Sequence, residues 1–513
     1  MQKPEPRIRR FMHTETKYLR SSGVLMPLTM LHGPFGIGVM GEEAKDFVDL
    51  LKKGGFRAWQ LLPVESTGEC FSPYKCISAY AGEPMLIDPR MLLESELITY
   101  DELSDRMQGM SDNHVEYGLV REKQWALLRK AFSRAGGGKQ HSDFKKPWLD
   151  DYALYMALKN RFGNAPWFQW SDAGLRNYES DSVNRARTEL KEEIEFYKFV
   201  QWLFYKQWAS LKEYANSQGI SIIGDMPIYV SEDSVEVWCK RELFDVDKNG
   251  NFTAFGGCPP DYFNPEGQFW GNPIYNWALM KKDGYDWWIE RLKMAIERYD
   301  FVRLDHFRAF ESYWRIPANA VSAKEGKWVK GPGIALMNAL KKAIGELPVI
   351  AEDLGVIDEK VEALLVKTGF RGIRVMQFSN IGDDHHLPHN YTHLTVAYTG
   401  THDNTTLLAW HHELDQKTRD WALEYVGFTG DWTVGGPNCE LNKAWIRALY
   451  MSGASLVVIP IQDLLGYGSD TRTNIPGTPE GNWKFRLRSG ALSQIDFTYY
   501  ERLSKAAFRD NPP

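Results

Sequence analysis

Several charged and polar side chains follow one another closely at the end of a short apolar segment. Residues 299–304 are predicted to form a buried strand, with Arg303, Asp305 and His306 at its end. Because side chains alternate across a strand, Arg303 and Asp305 should share a face, where the guanidinium would lower the pKa of Asp305. An ionised carboxylate at the carboxyl end of a strand is typical of a nucleophile or a charge stabiliser. The alternative is a buried ion pair that only joins the strand to the next helix.

Carboxylates also stand at the ends of other apolar segments that are predicted to be strands. Asp225, Glu352, Asp403 and Asp463 each stand at the end of a separate segment. An Asp at a strand end often caps the following helix, so each of these carboxylates alone is weak evidence for a functional site. We expect Asp353, which points away from Glu352 by alternation, to be such a structural group. Together, the carboxylates indicate an acidic site, because the carboxyl ends of parallel strands meet on one face.

The residue types favour glycoside chemistry. In such reactions one carboxylate attacks or stabilises the anomeric carbon, and a second, protonated carboxyl group donates to the leaving oxygen. Glu352, next to Asp305, would be kept protonated by burial or by the neighbouring negative charge. Asp403 would bind sugar hydroxyls and support positive charge at the anomeric centre. His306 and His402 are expected to be neutral hydrogen-bonding partners, and neither a metal nor a cofactor is expected.

Eight apolar segments must position these residues. Helical patterns lie between several of them, such as Trp288, Leu292 and Ile296 at i, i+4 and i+8. Buried strands that alternate with amphipathic helices predict an α/β fold with a parallel sheet, and eight of them predict a (β/α)8 TIM barrel. The predicted strands are Gly23–Met30, Arg57–Pro63, Ile220–Val230, Tyr299–Phe307, Pro348–Leu354, Gly372–Phe378, Thr395–Asp403 and Ser455–Leu464.

The uneven spacing of the strands predicts one catalytic domain, residues 1–513, with a large insertion after the second strand. This insertion spans residues 65–219 and is charged and helical in pattern. Insertions on this side of a barrel stand over the active-site face, so the segment is expected to form one wall of a cleft. The helices predicted within it are Val120–Phe132, Trp148–Phe162 and Val183–Ser217.

A second insertion, residues 231–284, carries an aromatic segment at 262–273. We interpret that segment as a loop, because Gly and Pro interrupt both helices and strands. The whole chain is rich in aromatic residues, with 19 Trp, 24 Tyr and 26 Phe, most of which belong in the core. Aromatic faces on a loop suggest stacking against sugar rings or nucleobases, and the acidic net charge favours sugars.

The composition argues against several classes of protein. With 43% hydrophobic and 25% charged residues and a net charge of -6, the chain is typical of a globular protein without a basic surface for nucleic acid. Five cysteines without metal-type spacing favour a reducing compartment. The first twenty residues lack the apolar core of a secretory signal, and no apolar run is long enough for a membrane span. The sequence therefore predicts a cytoplasmic protein, a monomer or a small homo-oligomer.

A specific combination of short motifs runs through the chain. Because of these motifs, the sequence resembles, over nearly its whole length, the 4-α-glucanotransferases called amylomaltases or disproportionating enzymes. These enzymes are relatives of the α-amylases. The motifs are Ser72-Pro73-Tyr74 with Ser78-Ala79, Asp225-Met226-Pro227-Ile228, Pro259-Pro260-Asp261-Tyr262-Phe263, Trp270-Gly271-Asn272-Pro273, Arg303-Leu304-Asp305-His306-Phe307-Arg308, Ala351-Glu352-Asp353-Leu354-Gly355, Thr401-His402-Asp403-Asn404, Gln462-Asp463-Leu464-Leu465-Gly466 and Pro476-Gly477-Thr478 with Gly481-Asn482-Trp483.

The resemblance implies a role for each candidate residue. It matches Asp305 to the nucleophile, Glu352 to the general acid/base and Asp403 to the transition-state stabiliser. The aromatic segment corresponds to a lid over bound glucan. Neither the α-amylase signature Asp-x-x-x-Asn-His nor a calcium-site pattern is evident, and both absences agree with the 4-α-glucanotransferases rather than with true α-amylases. The substrate-binding residues implied are Tyr74, Asp225, Asp261, Gln268, Trp270, Asn272, Arg303, His306 and His402.

The resemblance also implies the reaction. A retaining double displacement would move segments of α-1,4-glucans, such as maltooligosaccharides or amylose, to the 4-hydroxyl group of an acceptor glucan or of glucose. One alternative is a hydrolase of α-1,4-glucans that uses the same site. Another is a glucan-binding or scaffolding protein that has lost catalysis.

Overall fold

The computed structural model describes residues 20–136, 140–247, 250–260, 265–379, 385–478, 480–511 and 513. The candidate residue Asp261 and most of the segment on which we based the absence of a secretory signal lie outside this range.

Twelve strands are formed within the described residues. In chain order they are Ser21–Leu25 (β1), Ala58–Gln60 (β2), Ser221–Met226 (β3), Ala254–Cys258 (β4), Gln268–Pro273 (β5), Phe301–Leu304 (β6), Ser312–Pro317 (β7), Lys327–Lys330 (β8), Val349–Ala351 (β9), Arg371–Val375 (β10), Thr395–Tyr398 (β11) and Leu456–Pro460 (β12).

Eight of these strands close into a parallel barrel. Its order is β1, β2, β3, β6, β9, β10, β11 and β12, and β12 pairs back with β1. Each barrel strand lies inside or overlaps one of the eight predicted segments, so the predicted (β/α)8 barrel is confirmed. The predicted segments run too far at their carboxyl ends, because several of them remain apolar after the chain has left the hydrogen-bonded ladder, as at Met26 and Leu61. Residues 220–230 were predicted as one strand, for example, but the strand ends at Met226.

Apolar side chains fill the interior of the barrel. All five residues of β12 are buried, as expected for a strand that is covered on both faces. Ile223, Ile350 and Val396 belong to the same interior cluster. Tyr398 adds a polar contact there, since its hydroxyl donates to Oε1 of Gln60 at 2.7 Å. This packed interior fills the barrel below its carboxyl end.

Amphipathic helices surround the barrel. The helix Glu42–Lys53 buries Ala44, Phe47, Val48 and Leu51, which recur at the helical period. Its first turn is acidic and its last turn is basic, as the helix dipole favours. The helix Asp286–Arg298, before β6, contains Trp288, Leu292 and Ile296 at the predicted helical spacing, and the helix Glu359–Thr368 follows β9.

No helix in the described part of the chain is long and apolar enough to cross a membrane. The α-helices there are Glu42–Lys53, Arg90–Glu94, Tyr100–Met107, Tyr117–Arg134, Leu149–Arg161, Ala173–Arg176, Ser180–Glu189, Lys191–Ser217, Val235–Cys239, Trp277–Lys282, Asp286–Arg298, Ile334–Ile344, Glu359–Thr368, Leu407–Glu413, Gln416–Tyr425, Glu440–Met451, Ile461–Leu465 and Phe497–Ala506.

The prediction of a single helix over residues 183–217 was wrong. The chain forms two helices there, Ser180–Glu189 and Lys191–Ser217, which meet at Leu190. Leu190 leaves the helical conformation with φ −102° and ψ 20°. Neither Gly nor Pro marks this break, and apolar residues recur with helical period on both sides, so the sequence carried no stop signal.

The aromatic segment was wrongly predicted to be a loop throughout. Residues 268–273 form the edge strand β5 of a second, antiparallel sheet with the order β5, β4, β7 and β8. Gly271 adopts a positive φ of 74° within this strand, and the pairing with β4 is irregular between Phe255 and Gly257. A strand with such a kink lacks the regular alternation by which we recognised the barrel strands. Half of this sheet comes from residues 312–330, for which no strand was predicted.

Candidate active site

Neighbouring barrel strands bring Asp225, Arg303 and Glu352 to the same end of the barrel. Asp225 on β3 lies opposite Arg303 on β6 in the parallel register. On the other side, Leu304 pairs with Ala351 of β9, directly before Glu352. The backbone N–H of Glu352 donates to the carbonyl of Leu304 at 3.0 Å. The predicted grouping of residues from separate strands is therefore present.

Arg303 joins two carboxylates at this end of the barrel. Its Nη1 atom lies 2.7 and 2.8 Å from the two carboxylate oxygens of Asp225. The same atom donates to Oδ1 of Asp305 at 3.0 Å. Asp225 is fully buried, whereas the side chain of Asp305 keeps 25% of its exposure. The guanidinium thus lies at the base of the site, and Asp305 lies closer to the opening.

Arg303 acts to lower the pKa of Asp305, as expected, but the net shift of this pKa is upward. Burial raises the pKa of Asp305, and the charge of Arg303 only opposes this shift. Nearby Asp225, Glu352 and Asp403 raise the pKa further. Because the same guanidinium also neutralises the fully buried Asp225, its effect on Asp305 is shared, and burial prevails.

Two backbone N–H groups hold the carboxyl group of Glu352. Leu354 N donates to Oε1 at 2.9 Å, and His306 N donates to Oε2 at 2.6 Å. His306 has the left-handed conformation φ 48° and ψ 50°, which is uncommon outside glycine and often found at functional sites. Burial raises the pKa of Glu352, although both hydrogen bonds and Arg303 oppose this. The predicted direction for Glu352 is therefore correct, with burial as the largest cause.

Asp403 lies on the opposite part of the rim, after β11. Asn474 Nδ2 donates to its Oδ1 at 2.6 Å, and His402 Nε2 lies 3.4 Å from the same oxygen. Arg472 fixes the backbone, because its Nη2 donates to the carbonyl of Asp403 at 2.6 Å. The Asp403 side chain is 45% exposed, so one carboxylate oxygen is held while the group remains open to a ligand.

Tyr74 connects the two sides of the rim. Its hydroxyl donates to Oδ2 of Asp225 at 2.7 Å, and its ring stacks on His402 with centroids 5.1 Å apart. Burial and the charge of Asp225 raise the pKa of Tyr74, so the hydroxyl stays protonated and keeps donating. Trp483 packs beside both rings, with centroids 5.8 Å from Tyr74 and 6.1 Å from His402.

The strand β5 lies against the same site. The ring of Trp270 meets that of His306 edge to face, with centroids 4.9 Å apart. Trp270 Nε1 donates to Oε1 of Gln268 at 3.0 Å. Asn272 is buried, and its amide donates to the carbonyl of Val230 at 2.9 Å. Asn272 therefore ties β5 to the segment after β3, and a direct contact with substrate stays a prediction for it.

Both histidines of the site are neutral. Burial lowers the pKa of His306 to about 3, and it also lowers the pKa of His402. The Nε2 atom of His306 is buried and has no hydrogen-bond partner among the described residues. A buried polar atom without a partner needs one, and the backbone N–H of the same residue binds the carboxyl group of Glu352. Within the described ranges, no group of three or more His, Cys, Asp or Glu side chains is arranged to hold a metal ion.

Two other carboxylates at strand ends are structural. Asp353 accepts from the backbone N–H of Ile373 at 2.6 Å and from Arg374 Nη1 at 2.7 Å. Asp463 accepts from the Thr399 hydroxyl at 2.5 Å and from the backbone N–H of Leu407, the first residue of a helix, at 2.7 Å. Their side chains are saturated by protein donors, as expected for groups that join strands and helices.

Sequence reasoning missed Asn474 and Trp483. Both follow the last barrel strand and lie outside any regular element, so strand ends gave no reason to select them. Trp483 stands in the motif Gly481-Asn482-Trp483, which we noted without assigning it a role. Its N–H donates to the carbonyl of Thr473 at 2.8 Å, which brings the segment to the rim beside Tyr74.

Known proteins share this architecture. Residues 26–493 match the family model described as 4-alpha-glucanotransferase. The 4-alpha-glucanotransferase of Thermus thermophilus is 43% identical over 92% of this chain and 96% of its own length, and that of Streptococcus pneumoniae is 41% identical over 92% and 94%. The structure is similar to the amylomaltase from Streptococcus agalactiae in complex with acarbose, with a TM-score of 0.91, 39% identity, and coverage of 96% of this chain and 99% of that one. This chain therefore belongs to the 4-α-glucanotransferase family.

Proposed function

We propose that the protein is a 4-α-glucanotransferase, which moves segments of α-1,4-linked glucans from a donor to the 4-hydroxyl group of an acceptor glucan or of glucose. Membership of the family supports the activity. The observation that carries the mechanism is the grouping of Asp305, Glu352 and Asp403 around one end of the barrel, where Arg303 contacts Asp305 at 3.0 Å. A retaining double displacement needs such a group of carboxylates.

In the first step Asp305 is the nucleophile and Glu352 the general acid. Oδ of Asp305 forms a bond to C1 of the donor glucose unit as the bond from C1 to the leaving O4 breaks. Glu352 transfers its proton to that oxygen, so the shortened glucan leaves neutral. Because burial raises the pKa of both groups, the pair can retain one proton near neutral pH. Arg303 contacts Asp305, which favours the negative charge there and the proton on Glu352.

In the second step the same groups act in reverse. Glu352, now ionised, takes the proton from the 4-hydroxyl group of the acceptor. The acceptor oxygen forms a bond to C1, and the bond between C1 and Asp305 breaks. Two inversions restore the α-linkage. Both steps require the plane of the Glu352 carboxyl group to be fixed, which the bonds from His306 and Leu354 support.

The remaining polar groups would bind the reacting sugar. Asp403 has one oxygen held by Asn474, and its open oxygen would bind sugar hydroxyls and support positive charge at C1. His306 has a buried Nε2 without a described partner, which suits a hydrogen bond with a hydroxyl group. Tyr74 and His402, stacked on each other, would form the wall behind the sugar.

Transfer must compete with hydrolysis. Water is present at roughly 55 M and an acceptor sugar at about 1 mM. Equal rates of transfer and hydrolysis therefore already require about 10⁴–10⁵-fold discrimination in favour of the sugar over water. Binding energy from the acceptor and exclusion of water can supply it. Trp270, next to His306 on the small sheet, would contribute by stacking on the acceptor. Gln268 orients the Trp270 ring, and Asp261 on the preceding segment would bind the same sugar.

The two predicted insertions would form the walls of the substrate cleft. We assign residues 65–219 and 231–284 to these walls, the second carrying the part that covers the substrate. Tyr74 in the first and Trp270 in the second support this assignment, because both side chains contact residues of the site. We further propose a cytoplasmic protein that acts on maltooligosaccharides and amylose as a monomer or a small homo-oligomer.

Incubation with maltotriose alone tests the function. A transferase yields glucose together with a ladder of longer maltodextrins, whereas a hydrolase yields only glucose and maltose. Asp305→Asn is the control, because it should abolish the ladder while binding of maltodextrin remains measurable. Glucose and maltose as the only products of the wild type would contradict transfer and support the hydrolase. Glucan binding without turnover in the wild type would support the binding protein.

A further inference from the structure

Two charged side chains near Gly271, the residue after Trp270, take part in no hydrogen bond or ion pair with any residue of the described ranges. These are Lys75, which follows Tyr74, and Glu232, on the segment after β3. Both side chains are half-buried. A charged group that loses part of its hydration without gaining a partner is unfavourable. Such a pair next to a substrate wall calls for a ligand.

The two groups converge on Gly271, the residue after Trp270. A Cβ atom built on Gly271 would lie 3.4 Å from Oε2 of Glu232 and 3.7 Å from Nζ of Lys75. The lack of a side chain at Gly271 therefore leaves space between an ammonium group and a carboxyl group. Burial raises the pKa of Glu232, and the charge of Lys75 opposes that shift, so the two groups also influence each other electrostatically.

The backbone on both sides of this space is held firmly. Nε1 of Trp167 donates to the carbonyl of Glu232 at 2.8 Å. The adjacent Asp233 accepts from Lys159 Nζ at 2.6 Å and from the Tyr155 hydroxyl at 2.6 Å. Lys75 N donates to the carbonyl of Ser72 at 3.0 Å, which closes the turn that carries Tyr74. The side chains of Lys75 and Glu232 are thus presented from fixed segments, which lowers the entropic cost of binding.

We propose that Lys75 and Glu232 form a subsite that binds the hydroxyl groups of a glucose unit other than the two joined by the bond that is cleaved. An ammonium group donates and a carboxylate accepts, so together they can satisfy neighbouring hydroxyls of one sugar ring. The adjacent Trp270 and Tyr74 already contact His306 and Asp225, so the subsite continues the same cleft. The inference rests on the proposed function and assigns to this pair a preference for chain length.

The test compares substrates of different length in the wild type, Lys75→Met, Glu232→Gln and the double variant. One series varies the donor from maltotriose to maltoheptaose with glucose as acceptor. The other varies the acceptor from glucose to maltotriose at a saturating concentration of donor. The matched controls are Lys53→Met and Glu94→Gln, because both residues are exposed. Lys75→Arg is included since it retains a charged donor.

In the wild type, kcat/KM should rise at the length that first fills the subsite, in one of the two series. A hydrogen bond to a charged group is strong enough that its loss should lower kcat/KM about tenfold or more for substrates of that length and longer. Shorter substrates should react at the wild-type rate, and the control variants should not differ from the wild type. Lys75→Arg should recover part of the loss.

Other outcomes would overturn the subsite. An equal loss at every length would mean that the pair only supports the fold, and no loss at any length would mean that it binds no sugar. A wild type without a length step in either series would also contradict it. If the wild type makes no maltodextrin ladder from maltotriose, the proposed function fails. If it makes the ladder and the length step persists in all variants, only the subsite fails.

Discussion

Nδ2 of Asn474 lies 2.6 Å from Oδ1 of Asp403. This contact fixes a carboxylate whose side chain is otherwise 45% exposed. Asn474→Ala should therefore lower kcat for maltotriose disproportionation by about ten- to a hundredfold, the value of one hydrogen bond to a charged group. Steady-state kinetics and a thermal melt check this. Loss of activity together with a large loss of stability would instead mean that Asn474 supports the fold.

Replacement of Asp305 should stabilise the protein as well as inactivate it. Burial raises its pKa in the folded protein above the ordinary value of 3.8, so ionisation weakens folding. The stability associated with the neutral form is complete below the ordinary pKa and is lost as the pH rises through the raised pKa of the folded state. The neutral Asp305→Asn variant avoids this loss. We expect a gain of about 1–3 kcal/mol in the free energy of unfolding at pH 8 and almost none at pH 4, measured by denaturant titration.

Asp415 provides a control of opposite sign for that measurement. It begins a helix and accepts from the backbone N–H and the hydroxyl of Thr418, and these bonds lower its pKa. Its stabilising effect is present above the ordinary pKa and is lost on acidification. Asp415→Asn should therefore lose stability at pH 8. A gain for both variants, or for neither, would contradict the assigned environment of Asp305.

Glu352→Gln should be rescued by a donor that needs no proton. The variant cannot protonate a departing sugar, so transfer from maltotriose should fall by about 10³-fold or more. A maltosyl fluoride with the α-configuration loses fluoride, which needs no proton, so the first equivalent of fluoride per enzyme should be released near the wild-type rate. Asp353→Asn is the control, since Asp353 holds Ile373 and Arg374 and should show no such difference between donors. Equal loss with both donors would exclude Glu352 as the acid.

Trp270→Ala should impair transfer more than hydrolysis. The ring lies beside His306. In the variant an acceptor sugar would lose its stacking surface, whereas the attack of water does not depend on the ring. We expect the ratio of transfer to hydrolysis to fall about tenfold, as measured from the glucose and maltodextrin products over time. Phe269→Ala is the matched control, because the neighbouring side chain points to the other side of β5 and is exposed. An equal decrease of both reactions would remove Trp270 from acceptor binding.

The barrel and its acidic end were predictable because short-range patterns specify them. Each barrel strand lies within or overlaps an apolar segment, and polar residues follow soon after the end of several strands. The alternation that placed Arg303 beside Asp305 is a geometric property of any strand, and the contact is present. The carboxylates could be grouped because all parallel strands end at the same face.

Other features depend on contacts between distant segments. The pKa of Asp305 reflects first its burial and then how Arg303 is shared with Asp225, and the residue order around Asp305 reveals neither. The edge strand β5 forms because it pairs with β4, which in turn pairs with β7 in residues 312–330. The kink at Gly271 interrupts the alternation of side chains by which a strand is recognised in the sequence. Asn474 reaches Asp403 from 71 residues away along the chain. Such residues can be found only once the fold is known.

Trapping the covalent intermediate tests the central claim most directly. Glu352→Gln should react with a maltosyl fluoride of the α-configuration and, without an acceptor, accumulate a glycosyl-enzyme, because the second step lacks its base. Intact-protein mass spectrometry should show one added maltosyl group, and peptide mapping should place it on Asp305. The adduct should be absent from Asp305→Asn combined with Glu352→Gln. An adduct on any other residue, or a product of inverted configuration without an adduct, would contradict the proposed double displacement through Asp305.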